Sequence, residues 1–233
     1  MDDEADRLAS ILIEARKSNK PVDGSKLPWS ELYLDLAVQV GLAFASRAGA
    51  TGSPYWKLGA VDESTQQRLG VEGPLFAPLN PKIVSLNVTT AVLELSSLIE
   101  PKFEPEIGVH LDVDGMRVMP CVEIADCRFQ GWALPPCGVL ADGALQGRML
   151  FGLPVDPIDT VNDMVNVTVL HDGRDLSQGT GSWSEAVDRL GFLPHDHRAS
   201  AVATGALTDL YDCAIGLWTF DFGSLGQISV RVI

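Results

Sequence analysis

The sequence predicts an α+β fold, with N-terminal helices packed on a β-rich body, and three observations predict it. Apolar residues at helical spacing dominate the early chain, as in Leu8, Ile11, Leu12 and Ala15. From Tyr55 onward the pattern changes to short apolar runs, many alternating with period two, separated by Gly, Pro and Asp. The composition, 46% apolar and 21% charged over 233 residues, suits one folded core and argues against disorder. Residues 1–55 read as a helical subregion and 56–233 as the β-rich part of one integrated domain.

The elements follow in order. Ala5 to Lys17 reads as an amphipathic helix, with Glu4, Asp6, Glu14 and Arg16 set against the apolar stripe. A turn-rich connector from Asn19 to Pro28 leads to Ser30, read as an N-cap. Leu32, Leu36, Val40 and Phe44 then mark a second helix to about Arg47, stopped by Gly49 and Gly52. A short helix is expected from Ser64 to Leu69, closed by Gly70. Strands are expected at Ile107 to Val113, Val118 to Ala125, Val161 to Leu170, Ala201 to Leu207, Leu217 to Phe222 and Gln227 to Ile233. Trp218, Phe220 and Phe222 alternate with Thr219 and Asp221, which fits a strand packing one face better than a ligand box.

Charge and cysteine usage exclude several classes. A net charge of −14, uninterrupted by any Lys/Arg cluster, repels a phosphate backbone, so no nucleic-acid partner is expected. The acidic start Met1-Asp2-Asp3-Glu4 is unlike a basic secretory leader, and no apolar run approaches the roughly 20 residues of a membrane span. A cytoplasmic protein with no membrane partner is expected. Cys121, Cys127, Cys137 and Cys213 lack metal-site spacing and read as reduced, partly buried thiols. His195 and His197 sit in a Pro/Asp/His/Arg cluster that reads as a solvated loop, since two histidines do not complete a site.

Carboxylates on strands carry the chemical signal. In Glu104-Pro105-Glu106-Ile107-Gly108-Val109-His110-Leu111, strand alternation sends Glu104, Glu106 and His110 to one face and Ile107, Val109 and Leu111 to the other. Glu123, between Val122 and Ile124, is the lone acid of another apolar run and belongs to the face away from the core. Converging carboxylates repel one another unless a hard divalent cation compensates them, and oxygen ligands favour Mg²⁺ or Mn²⁺ over zinc. Spacing alone also allows, and more simply, a solvated polar face with Glu123 paired to Arg128.

These residues lie within a longer pattern. Glu104-Pro105-Glu106-Ile107, then Pro120-Cys121-Val122-Glu123-Ile124-Ala125-Asp126-Cys127-Arg128-Phe129, resembles the paired signature of 2-hydroxypenta-2,4-dienoate (2-keto-4-pentenoate) hydratases and 2-oxo-3-hexenedioate decarboxylases, in the fumarylacetoacetate hydrolase superfamily. Trp56-Lys57-Leu58-Gly59, Gln66 to Val71, Pro74-Leu75-Phe76, Thr204-Gly205-Ala206-Leu207-Thr208 and Leu225 to Val230 extend the likeness over nearly the whole chain.

The resemblance implies N-terminal helices on a mixed β-sandwich or roll of that superfamily's type, a homo-oligomer, and Mg²⁺ or Mn²⁺ held by Glu104, Glu106 and Glu123. The metal would chelate a 2-oxo acid or dienol substrate and stabilise its enolate. Lys57 matches the family's active-site lysine, Asp142 falls in its "A-D-N" segment, and Ser182 follows its glycine-rich run as a candidate substrate partner. The implied activity is a hydratase or decarboxylase. An acylpyruvate hydrolase and a ligand-binding or structural relative without turnover are the alternatives. The last is motivated by Val61 in place of threonine, Lys82 where an acid is expected, and Gly143 in place of asparagine; Ala77 stands in place of a glycine as well.

Overall fold

A computed structural model describes residues 3–69, 71–135, 137–156, 163–194 and 198–233. Gly70, Val161, His195 and His197, each assigned a place or role above, lie outside the described residues.

Two helices open the chain, α1 (Asp3–Ser18) and α2 (Leu34–Arg47). Ser30 is not an N-cap: it sits inside a short 3-10 turn, Trp29–Glu31, and α2 starts after Tyr33. The apolar spacing misled because Leu32 is buried while still outside the helix. Leu36, Val40 and Phe44 do face inward, where they meet Leu8 and Leu12 of α1 together with Cys127, Phe129 and Ala141.

The body consists of two mixed sheets. The larger runs β2 (Leu75–Pro78), β1 (Tyr55–Gly59), β10 (Ala201–Ala206), β5 (Pro101–Asp112), β6 (Gly115–Asp126), β7 (Gln146–Phe151), β3 (Val84–Ser85), with β11 (Tyr211–Asp212) also paired to β5. The smaller runs β4 (Thr90–Leu93), β13 (Gln227–Val232), β12 (Gly216–Asp221), β8 (Met164–His171), β9 (Arg174–Ser182). Within the larger sheet β1 runs parallel to β10 while β10, β5, β6 and β7 are antiparallel to one another. Three short α-helices lie among the strands: α3 (Glu63–Leu69), α4 (Gly138–Ala141) and α5 (Trp183–Asp188).

The sheets are held face to face by the inward side chains of both. Phe103, Ile107, Val122 and Ile124 from the larger sheet meet Val165, Val167, Trp218, Phe220, Ile228 and Val230 from the smaller. Phe103 lies 5.1 Å from the rings of both Trp218 and Phe220. Each such side chain removed from water contributes about 1.5–3 kcal/mol, which makes this layer the main source of cohesion between the sheets. The opposite face of the larger sheet is also covered, so β6 is buried along nearly its whole length. That second covered face holds the site.

Candidate active site and metal centre

The β5–β6 register places Glu104 directly opposite Glu123, and Glu106 opposite Cys121. Side-chain alternation then sends all three glutamates to the face turned away from the sandwich core. Neither Glu106 nor Glu123 is solvated: each is 1% exposed. One carboxylate oxygen from each of Glu104, Glu106 and Glu123 lies within 4.8 Å of the other two. His110, on the same face, stands at the far end of β5 and meets Asp112 at 3.2 Å.

Lys57 reaches this cluster from β1. Its Nζ donates to Glu123 Oε1 at 2.5 Å, to Glu123 Oε2 at 2.6 Å and to the Ala144 carbonyl at 2.9 Å, which commits all three ammonium protons. Glu106 is fixed from β10. There the register with β5 shifts between Ala203 and Ala206, and Gly205, inside the irregularity, gives its N–H to Glu106 Oε2 at 2.7 Å. Gly205 has φ 103°, and a Cβ there would fall 2.8 Å from Val61 Cγ1. The valine that replaces the expected threonine thus packs against the backbone that holds Glu106.

The electrostatics record a surplus of negative charge. Burial, then the charge of Glu123, raises the Glu104 pKa to about 7 against the opposing pull of Lys57. Burial followed by Glu123 and Glu104 holds Glu106 well above the carboxylate range. Burial works to lower Lys57, but Glu123, Glu104 and Glu106 outweigh it and keep the ammonium above its ordinary value. The Glu104 carboxylate accepts no hydrogen bond among the described residues. Three ionised carboxylates facing one ammonium are undercompensated, and an all-oxygen set of this kind fits a hard divalent cation held by Glu104, Glu106 and Glu123.

Above the cluster lies a cavity of about 880 Å³ with Lys57 and Glu104 on its floor. Its walls come mainly from connecting segments: Ala60 after β1, Trp132 to Pro135 and Cys137 between β6 and α4, Ala144 and Leu145 before β7, and Leu210 before β11. Ala60, Trp132, Cys137, Ala144 and Leu145 all take left-handed backbone, with φ between 51° and 62°. A non-glycine residue there costs about 1 kcal/mol or more, so local strain is concentrated around this cavity.

Asp142, a candidate on the resemblance, does not line the cavity. It is wholly buried and takes Arg128 Nε on Oδ1 at 2.5 Å and the Arg128 backbone N–H on Oδ2 at 3.1 Å. Arg128 also donates to the carbonyls of Gln146 and Asp142, at 2.8 and 2.7 Å, and lies 5.3 Å from the Phe44 ring centroid. Arg128 therefore does not pair with Glu123, which Lys57 takes. The Arg128–Asp142 pair instead fixes the 143–145 turn that presents the Ala144 carbonyl to Lys57. Gly143 in that turn has φ 59°, and a Cβ there would fall 2.7 Å from Phe44.

Ser182 does not line the cavity either. Its hydroxyl donates to Asp163 Oδ2 at 2.6 Å and accepts from the Glu185 N–H at 3.2 Å, capping α5. Lys82 is exposed beside Asn80, away from the cavity lining. Sequence reasoning missed the Arg128 network, the Gly205 N–H and the cavity walls. A lone arginine between Cys127 and Phe129, two residues that the core buries, was the available signal for the first.

Comparison with known proteins is consistent with this geometry. No protein-family model matches the chain. A 2-hydroxypent-2,4-dienoate hydratase of Pseudomonas putida is 30% identical over 169 residues, which span 65% of this chain and 76% of that protein. The chain belongs to this hydratase family. A second hydratase-family relative, the 2-keto-4-pentenoate hydratase of Paraburkholderia phymatum, is 25% identical over 97% of each chain. Among solved structures, 4-oxalocrotonate decarboxylase from Pseudomonas putida G7, complexed with magnesium and adipate, matches with a TM-score of 0.84 at 22% identity, covering 99% of this chain and 98% of that one. The hydratase family thus appears here in the fumarylacetoacetate hydrolase fold expected from the sequence.

Proposed function

We propose that the chain is a divalent-cation-dependent lyase that hydrates a 2-oxo acid in its dienol form, or carries out the related decarboxylation. The observation that carries this reading is the buried Glu104, Glu106 and Glu123 cluster, joined to Lys57 at the floor of a largely apolar cavity. The family relationship supports the same reading.

A bound Mg²⁺ or Mn²⁺ supplies Lewis acidity that stabilises the negative charge developing on the enolate of a 2-oxo acid. Glu104, Glu106 and Glu123 would hold it, with Glu106 aimed by the Gly205 N–H. In the metal-free chain the carboxylates outweigh burial and hold the Lys57 ammonium above its ordinary value, so Nζ serves as a positive charge at the cavity floor and is a poor base. Arg128 and Asp142 act at one remove, by fixing the turn whose Ala144 carbonyl orients Nζ. The apolar walls keep bulk water from the enolate. Hydration and decarboxylation share that enolate, which is why one floor can serve either.

The test follows the ultraviolet absorbance of freshly generated 2-hydroxypenta-2,4-dienoate. Loss of the dienol signal that is faster with Mg²⁺ and stops with EDTA, yielding 4-hydroxy-2-oxopentanoate, is the expected result. Glu106→Gln should lose both turnover and bound metal. Decay no faster than the spontaneous rate would overturn the hydratase assignment, and carbon dioxide release from 4-oxalocrotonate would then favour the decarboxylase.

A further inference from the structure

We infer that this site takes a 2-oxo acid with a single carboxylate and a bulky apolar or aryl tail, larger than a pentenoate and without a second acid group. The inference rests on the hydratase form of the lyase reading and deepens it by naming the far end of the substrate; it sets aside the decarboxylase form, whose substrate 4-oxalocrotonate carries a second acid group.

Charge supplies the first argument. Lys57 is the one cationic side chain among the described residues that line the cavity, and its three protons already go to Glu123 and Ala144. Glu104 adds negative charge at the same floor. Thr65 and Gln67 also line the cavity but are neutral, so a second substrate carboxylate would lose water here without meeting an opposite charge, which is costly for an ion.

The walls supply the second. Leu75, Leu134, Val139, Leu145 and Leu210 are aliphatic. Trp132 donates its indole N–H to the Glu100 carbonyl at 2.8 Å, so what it offers the cavity is apolar ring surface.

Size is the third. A pentenoate-sized acid fills on the order of 200 Å³ at about 30 Å³ per water-sized group. The cavity holds about 880 Å³, within the range that encloses ligands several times larger. A small acid seated on the floor would leave most of the apolar wall uncovered, whereas an aryl tail would cover it.

The test is calorimetry on the full chain loaded with Mg²⁺, titrated with 2-oxopentanoate, 2-oxo-4-phenylbutanoate and 2-oxohexanedioate. The phenyl acid should bind roughly tenfold to a hundredfold more tightly than 2-oxopentanoate, the gain expected for burying a ring. The dioate should bind more weakly than 2-oxopentanoate. Leu210→Arg, at a position 43% exposed and so tolerant of charge, should strengthen dioate binding and weaken that of the phenyl acid. Equal affinity for the phenyl acid and 2-oxopentanoate, or tightest binding of the dioate by the unaltered chain, would overturn the inference and leave the lyase reading intact. Binding of none of the three would overturn both. A tail preference that persists unchanged in EDTA would support the apolar occupant and count against a metal-held head group.

Discussion

Arg128 and Lys57 are both buried cations that meet carboxylates beside β6, yet the two sites differ in how their charges balance. Arg128 faces Asp142 one to one, with carbonyls taking its remaining bonds, so that site is closed and complete. Lys57 faces Glu123 with Glu104 and Glu106 close by, and Glu104 opens on a cavity. Burial penalises both arrangements, but in the first every polar atom of the pair meets a protein partner, whereas in the second the Glu104 carboxylate does not. The comparison separates a pair that holds a turn in place from a cluster whose surplus charge calls for a ligand.

Breaking the closed pair should have the largest effect on stability. Arg128→Leu strands Asp142 without its cation, and urea unfolding should show a loss of about 3–5 kcal/mol. A loss below about 1 kcal/mol would mean the two sites are not as different as their charges imply.

The open cluster should respond with the opposite sign. Glu106→Gln removes repulsion from a buried, undercompensated group, so the metal-free variant should be at least as stable as the parent by thermal unfolding. Its affinity for Mg²⁺ or Mn²⁺ should fall by at least the roughly tenfold to hundredfold seen when a supporting residue of a metal site is lost. A variant that is both less stable without metal and unchanged in metal affinity would place Glu106 with the structural pair.

The smallest effect sharpens the contrast through pH. Glu104 titrates near 7 in the folded chain against an ordinary 4.5, so the native state binds the extra proton between those values. Its contribution to stability is complete below about 4.5 and is lost as pH rises through about 7. Glu106 acts in the same direction, as does Asp142, which burial lifts to about 6. The raised Lys57 stays charged throughout this window. Metal-free protein should therefore lose thermal stability from pH 4.5 to 7, and Mg²⁺ should stabilise it increasingly over the same interval with proton release on binding. A flat profile without metal would remove the surplus-charge account.

Much of the site's floor could be read from the sequence because strand alternation is a local property. The face shared by Glu104, Glu106 and Glu123 follows from neighbours one residue away. The contact of Lys57 with Glu123 spans 66 positions in the chain; resemblance points to Lys57 but not to this contact, and local sequence offers Arg128 as the partner of Glu123 instead. The polar strand β9, Arg174–Ser182, has no apolar alternation and escaped notice. It forms at a sheet edge after the Asp172-Gly173 turn, where Gly179 and Gly181 let it lie close to Leu207. Resemblance marks Asp142 as a candidate catalytic residue and Ser182 as a candidate substrate partner, but the structure spends their side chains on Arg128 and on the start of α5. Local pattern says which way a side chain points, but only the packed fold says what has already claimed it.

The floor of the cavity is carried by β1, β5 and β6, whose registers tie each charged group to a ladder of hydrogen bonds, whereas most of the wall hangs on the connections between elements. Replacing Leu134, Leu145 or Leu210 need not disturb any ladder, while moving Glu104 or Glu123 by one position along its strand would turn it into the opposite core. Descendants of this chain can therefore drift toward new substrates through their loops and inherit the reactive end unaltered.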